Sequence, residues 1–163
     1  MFPADVHDLA RQVIETYTAK KKLIATVESC TGGLIAAALT DIPGSSAVME
    51  RGFVTYSNEA KTELVGVEPE VVRAEGAVSA HTAEEMAKGA LLFSHADVTL
   101  SVTGIAGPTG GTPGKPVGLV YIGLATREGA VFHYQCNFKG DRSDIRMQAV
   151  LESLKLLLTQ VED

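Results

Sequence analysis

Apolar and polar residues follow two different periods along this chain, and the switches between them divide it into helices and strands. Apolar residues at helical spacing predict helices at 3–20, 31–40, 58–64, from Pro69, at 82–93 and from Asp141, the last with apolar positions as far as Val161. Alternating or wholly apolar segments predict strands at 23–28, 53–57, 97–103, 117–125 and 130–138. Helices that alternate with strands indicate an α/β fold. We expect a three-layer α/β/α sandwich with a mixed, mostly parallel sheet that contains one antiparallel hairpin, closed by a turn at 127–129.

Capping residues occur at the predicted starts of two helices. Ser57 or Asn58 can cap the helix at 58–64, which places Lys61 in its first turn. Thr82 and Glu85 have the spacing of a capping box for the helix at 82–93.

A loop rich in glycine and proline, 104–114, follows the third predicted strand and cannot be helix or strand. It is not a P-loop, because Thr109 stands where the first glycine should be and Pro116 where Ser or Thr is required. A plain long connection is one interpretation. Long loops inside compact domains are usually functional, however, and a loop at the carboxyl end of a strand suits a ligand at the sheet edge.

Composition narrows the classes of protein that fit. With 163 residues, of which 45% are hydrophobic, we expect a single domain over 1–163. A formal net charge of −6 argues against a nucleic-acid partner. The sequence has no apolar run of about 20 residues, as a membrane span requires, and no apolar signal-peptide core at its start, so we expect a cytoplasmic protein without a membrane partner. Two cysteines and no paired ligand spacing predict neither a disulfide framework nor a metal site.

The candidate chemistry centres on 26–33, where a buried strand is predicted to turn into a helix. Ser29 lies at this junction, and the first N–H groups of a helix can hold an anion or a developing oxyanion. Ser29 could instead be the N-cap of the helix, a role that serine often fills. Its neighbour Cys30 is a second candidate nucleophile, since a thiol is intrinsically more nucleophilic than a hydroxyl.

Four motifs in the same order, 28–33, 52–61, 103–108 and 115–118, resemble the CinA C-terminal domain family, the nicotinamide-nucleotide amidohydrolases. The resemblance covers nearly the whole chain. It implies hydrolysis of the carboxamide of nicotinamide mononucleotide to nicotinate mononucleotide and ammonia, a salvage step in NAD metabolism. It also implies a homo-oligomer. The expected partner is the small nucleotide substrate, and we expect no cofactor.

The resemblance implies a Ser-Lys arrangement in which Ser29 attacks, Lys61 is the base and Tyr56 relays or orients the proton. The residues alone leave alternatives open: Lys61 could be an exposed lysine paired with Glu59 or Glu63, and Tyr56 could be a core aromatic. A lysine base must be neutral, and a reference pKa near 10.4 requires burial or a positive neighbour to lower it. The predicted substrate-binding residues are Thr31, Gly32, Gly33, Asn58, Thr103, Gly104, Gly107 and Arg142.

Two arginines stand in the first turns of the last predicted helix. Arg142 and Arg146 there oppose the helix dipole, so a nearby anion such as a ribose phosphate would stabilise them. They could equally pair with Asp141 or Asp144 on the surface. A catalytically silent nucleotide-binding module is the alternative function that the same loop and helix starts would serve.

Overall fold

A computed structural model describes residues 1–160, and the predicted apolar position Val161 lies outside the described residues. Within 1–160 the chain forms α1 (Ala4–Lys20), β1 (Ile24–Glu28), α2 (Leu34–Thr40), β2 (Met49–Val54), α3 (Asn58–Val65), α4 (Pro69–Glu75), α5 (Ala80–Leu92), β3 (Val98–Gly104), β4 (Leu119–Thr126), β5 (Val131–Asn137) and α6 (Arg142–Thr159). A short 3₁₀ turn, Ser45–Ala47, precedes β2. The predicted alternation of helices and strands is confirmed.

The five strands form one mixed sheet in the order β2-β1-β3-β4-β5. β1 is parallel to both β2 and β3, whereas β4 is antiparallel to β3 and to β5. Four strands therefore point one way and β4 points the other, which confirms the mixed, mostly parallel sheet with its antiparallel hairpin. The parallel strands β2, β1 and β3 end at the same edge of the sheet, where ligands of open α/β sheets bind.

Helices cover the two faces of the sheet in two layers. Val98, Leu100 and Val102 of β3 join the larger apolar cluster with α1, α2 and α6. The intervening Thr99 and Ser101 point to the opposite face, where their hydroxyls donate to backbone carbonyls of α5. The α3–α5 layer lies on this second face. The same alternation fixes the direction of Ser29. Val27 of β1 packs in the cluster of the α3–α5 layer, so Ser29, two residues later, points to the same face of the sheet, toward α3.

Three local predictions are wrong. The second strand spans Met49–Val54 rather than 53–57, because β2 pairs with β1 alone and Glu28, the last residue of β1, pairs with Val54. The second helix begins at Leu34 rather than residue 31, because 29–33 form a turn with positive φ at Gly32 and Gly33. The cap of α5 is Ser79, whose hydroxyl accepts from the N–H of Thr82, so the predicted capping box of Thr82 with Glu85 does not form.

The remaining boundaries agree with the predictions to within a few residues. Of the two predicted caps, Ser57 caps α3, and Pro69 occupies the first turn of α4. Among residues 1–160, no helix is both long and apolar enough to cross a membrane.

Candidate active site

Ser29 and Lys61 meet at the carboxyl end of the parallel strands. Ser29 follows β1 directly, and Lys61 projects from the start of α3. The Lys61 Nζ lies 3.0 Å from the Ser29 Oγ, and both side chains are shielded, with 1% and 8% of each residue exposed. A nucleophile within hydrogen-bond reach of a buried amine is the geometry of a Ser-Lys pair.

The alternative that Lys61 is an exposed helix lysine does not fit this position. Within 1–160, its Nζ forms no ion pair with Glu59 or Glu63. It lies 2.7 Å from the carbonyl oxygen of Thr55 and 3.5 Å from that of Tyr56. Carbonyls accept hydrogen bonds from a neutral amine as well as from an ammonium, so this environment does not require the charge.

Burial lowers the pKa of Lys61 from 10.5 to about 8, because an ammonium loses its hydration there and the described neighbours provide no carboxylate partner. An amine with this pKa is partly neutral near neutral pH. Lys61 can therefore take the proton of Ser29 as Ser29 attacks, and return it to a leaving group.

Cys30 lacks the features of a nucleophile. Burial raises the pKa of its thiol to about 12, so almost none is thiolate at neutral pH. The adjacent Ser29, in contrast, faces the lysine. The geometry favours Ser29 of the two neighbours.

Ser29 is not the N-cap of α2. The N-cap of α2 is Gly33, which has no side chain to cap with, and Ser29 is four residues earlier. The anion at the start of α2 is Glu28, whose buried carboxylate accepts from the N–H groups of Ile35 and Ala36 at 2.9 and 3.1 Å. The first N–H groups of this helix are therefore already used inside the protein, which the sequence did not predict.

A pocket of about 270 Å³ opens in front of the Ser29–Lys61 pair. Seven of the predicted site residues line it: Ser29, Tyr56, Lys61, Thr103, Gly104, Gly107 and Arg142. They come from four separated segments of the chain, so the fold gathers three of the four motifs, 28–33, 52–61 and 103–108, together with Arg142 around one cavity, whereas the motif 115–118 does not line it.

Tyr56, Gly107 and Arg142 are joined at this pocket. The Arg142 guanidinium donates to the Gly107 carbonyl at 2.7 Å and to the Tyr56 hydroxyl at 3.0 Å. Tyr56 is 59% exposed, so it is not a core aromatic. Asp141 and Asp144 form a capping box for α6 with each other's backbone, so Arg142 is left facing the pocket instead of pairing with them.

Arg146 is directed elsewhere. Its guanidinium donates to the carbonyls of Cys30 and Thr31 at 3.1 and 3.3 Å, and it does not line the pocket. Arg146 therefore holds the turn that carries Ser29, whereas Arg142 is the arginine that a ligand could meet.

Four predicted substrate-binding residues do not line this pocket. Thr31 is buried and donates to Glu28, and Gly32 and Gly33 form the turn behind Ser29. Asn58 lines a separate groove of about 420 Å³ between α3 and α4. Their part in binding stays a prediction.

Other lining residues were not predicted. Ala77 and Val78, in the turn before α5, belong to the pocket wall, and the Thr103 hydroxyl donates to the Ala77 carbonyl at 2.7 Å. Small and β-branched residues in a turn give no chemical signal in a sequence. In residues 1–160 no group of three or more His, Cys, Asp or Glu side chains could hold a metal ion.

Comparisons with known proteins show which proteins the whole chain resembles. The CinA C-terminal domain model matches residues 6–161. The chain is 48% identical to the nicotinamide-nucleotide amidohydrolase PncC of Enterobacter agglomerans over 155 residues, which is 95% of this chain and 94% of that protein. It superposes on the crystal structure of the competence/damage inducible protein CihA from Agrobacterium tumefaciens with a TM-score of 0.96 at 48% identity, covering 98% and 97% of the two chains.

Longer relatives share the same segment. A protein of Caldicellulosiruptor bescii, described as competence-damage inducible, is 48% identical over all 163 residues, yet the match is only 39% of its length. The chain thus spans about two fifths of that relative and nearly the whole of PncC.

Proposed function

The chain belongs to the CinA C-terminal domain family, and we propose that it hydrolyses the carboxamide of nicotinamide mononucleotide to nicotinate mononucleotide and ammonia. Two kinds of finding support this reaction. The PncC relative, matched over nearly its full length, is named a nicotinamide-nucleotide amidohydrolase. The observation that carries the chemistry is the 3.0 Å contact between the Ser29 Oγ and the buried Lys61 Nζ.

The proposed mechanism begins with neutral Lys61. Its amine accepts the proton of Ser29 as the Ser29 Oγ attacks the carboxamide carbon. The resulting tetrahedral oxyanion needs N–H donors, and those of Ile35 and Ala36 are bound to Glu28. We assign this role to the backbone N–H of Cys30, because Cys30 is among the residues that line the pocket and its N–H donates to no other residue within 1–160.

Collapse of the tetrahedral intermediate breaks the carbon–nitrogen bond. The Lys61 ammonium gives its proton to the leaving nitrogen, so ammonia departs and an ester links Ser29 to the nicotinate group. Water, deprotonated by the again neutral Lys61, then hydrolyses this ester and releases nicotinate mononucleotide. The same amine thus serves as base and acid in both half-reactions.

Recognition of the nucleotide is assigned to the pocket wall. Arg142 is the guanidinium that faces the pocket, and a ribose phosphate is a dianion that matches it in charge. We assign to Tyr56, whose hydroxyl accepts a hydrogen bond from Arg142, the role of relaying or orienting the proton. Gly104 and Gly107 contribute backbone to the pocket wall, and a Cβ at either position would clash with Val120 or Val117 inside the protein.

The reaction is tested by incubating the purified protein with nicotinamide mononucleotide and measuring ammonia and nicotinate mononucleotide, with and without a chelator. Equal amounts of the two products are expected in both conditions. Binding of the mononucleotide without ammonia release would instead indicate a catalytically silent nucleotide-binding module.

A further inference from the structure

Glu28 is a buried carboxylate that the proposed mechanism does not use. It is 1% exposed and lies at the end of β1, next in sequence to the nucleophile. Its side chain points to the α2 face of the sheet, whereas Ser29 points to the α3 face. Glu28 therefore does not contact the pocket.

Three hydrogen bonds hold this carboxylate. One oxygen accepts from the Thr31 hydroxyl at 2.7 Å and from the N–H of Ile35 at 2.9 Å, and the other accepts from the N–H of Ala36 at 3.1 Å. The negative charge sits at the positive end of α2, a helix with no acidic residue in its first turn. Glu28 thus connects the strand before the nucleophile to the helix after it.

Arg146 also holds this turn, through its backbone carbonyls. It donates to the carbonyls of Cys30 and Thr31, and the Ser29 N–H donates to the Val102 carbonyl at 2.9 Å. The turn of 29–33 contains two glycines in left-handed conformations, which give the free backbone little preference for one shape. Its shape is therefore imposed by these contacts.

We infer that Glu28 is a positioning residue that fixes the turn of 29–33 so that the Ser29 Oγ stays within reach of the Lys61 Nζ. The inference rests on the proposed function for the identity of the reaction. Its physical basis is that a nucleophile displaced by about 1 Å loses about 100-fold in rate. Glu28 acts through the backbone and touches neither substrate nor reacting atoms.

The test compares Glu28→Gln with Asp97→Asn. The amide of Glu28→Gln keeps the size of the side chain but turns an N–H₂ group toward helix N–H donors, so one hydrogen bond is lost. Asp97 also accepts a backbone N–H, that of Leu23 at 2.8 Å, but it lies at the opposite end of the sheet. Both variants remove the charge of a carboxylate that accepts hydrogen bonds from backbone N–H groups. Only one of these carboxylates, that of Glu28, is next to Ser29 in the sequence.

Two rates are measured on folded protein. The first is ammonia release from nicotinamide mononucleotide, with kcat and KM determined separately. The second is labelling of Ser29 by a fluorophosphonate, which requires neither the amide nor the phosphate. Glu28→Gln is expected to lower kcat and the labelling rate by about 100-fold while KM changes less than about threefold. Asp97→Asn is expected to keep both rates even if it unfolds at a lower temperature.

The outcomes separate this inference from the proposed function. If the wild type is labelled at Ser29 but releases no ammonia, the proposed reaction fails and the labelling rate of Glu28→Gln still decides the role of Glu28. An unchanged labelling rate in folded Glu28→Gln overturns the inference, and so does a wild type whose Ser29 resists labelling. Should Glu28→Gln fail to fold, Thr31→Val removes one of the three hydrogen bonds and is expected to slow labelling in the same direction; an unchanged rate overturns the inference.

Discussion

At the scale of single residues, burial makes Lys61 a candidate base, because it lowers the pKa of the amine. The sequence places this lysine at the start of a helix but cannot tell whether it is exposed, because the helix pattern alone fits a surface position. In the fold its amine lies within hydrogen-bond distance of the carbonyl oxygens of 55–57, and the residue is 1% exposed. A common surface residue thereby becomes a candidate base.

Replacement of Lys61 by alanine should reduce ammonia release by roughly 10³-fold, because Ser29 then has no base. Binding of nicotinate mononucleotide, measured by calorimetry, should change little. Lys88→Ala is the matched control, since Lys88 is an exposed lysine paired with Glu85 on α5. Near wild-type ammonia release from a folded Lys61→Ala protein would remove the lysine from the mechanism.

The pH dependence follows from the direction of the Lys61 shift. Because the neutral amine is the active form and burial lowers its pKa to about 8, kcat/KM should increase as pH rises through about 8 and then level off. Rates of ammonia release measured from pH 6 to 10 give the profile. A rate that stays constant over this range would mean that no group with this pKa controls the reaction.

At the scale of elements, local signals identified most helices and strands but not every boundary. Ser57 caps a helix with its hydroxyl, and Pro69 has the backbone φ of a first helical turn. Both effects depend only on neighbouring residues, so the starts of α3 and α4 were predictable. β2 was misplaced because its limits depend on pairing with β1, a partner about 25 residues earlier. The start of α2 depends on the turn that Glu28 organises, which no pattern of apolar residues reveals.

The start of α5 offers a direct stability test. Ser79→Ala should lower the free energy of unfolding by about 1 kcal/mol, because the hydroxyl that accepts from Thr82 N–H is lost. Glu85→Ala should change it by less than about 0.5 kcal/mol, because Glu85 is a partly exposed residue whose partners are Lys88 and His81. Urea unfolding of both variants gives the comparison. Equal losses would restore the predicted capping box.

At the scale of the whole molecule, the sheet edge assembles the site. Ser29 follows β1, Tyr56 follows β2 and Gly104 ends β3. The three parallel strands therefore bring residues of three motifs to the same edge of the sheet. The family resemblance implied that these motifs form one site, and the fold supplies the physical reason, because parallel strands share their carboxyl edge. The contribution of Ala77 and Val78 was not predictable, since it depends on how the turn before α5 packs against Thr103.

Arg142 connects parts of the molecule that are distant in sequence, because its guanidinium extends from α6 to Tyr56 and Gly107 at the sheet edge. Arg142→Ala should raise KM for nicotinamide mononucleotide by about tenfold or more, and should change KM much less for nicotinamide riboside, which lacks the phosphate. Lys139→Ala is the control, because Lys139 is an exposed cation near the start of α6. Equal increases for both substrates would mean that Arg142 does not recognise the phosphate.

The central claim is that the Ser29 hydroxyl attacks the carboxamide, and one measurement tests it most directly. Ammonia released from nicotinamide mononucleotide is followed for wild type, Ser29→Ala and Cys30→Ala, each shown to be folded by circular dichroism. We expect Ser29→Ala to be at least about 10³-fold slower than wild type, Cys30→Ala to keep most of the activity, and iodoacetamide to leave the wild type active. A folded Ser29→Ala protein that releases ammonia at close to the wild-type rate would contradict the account.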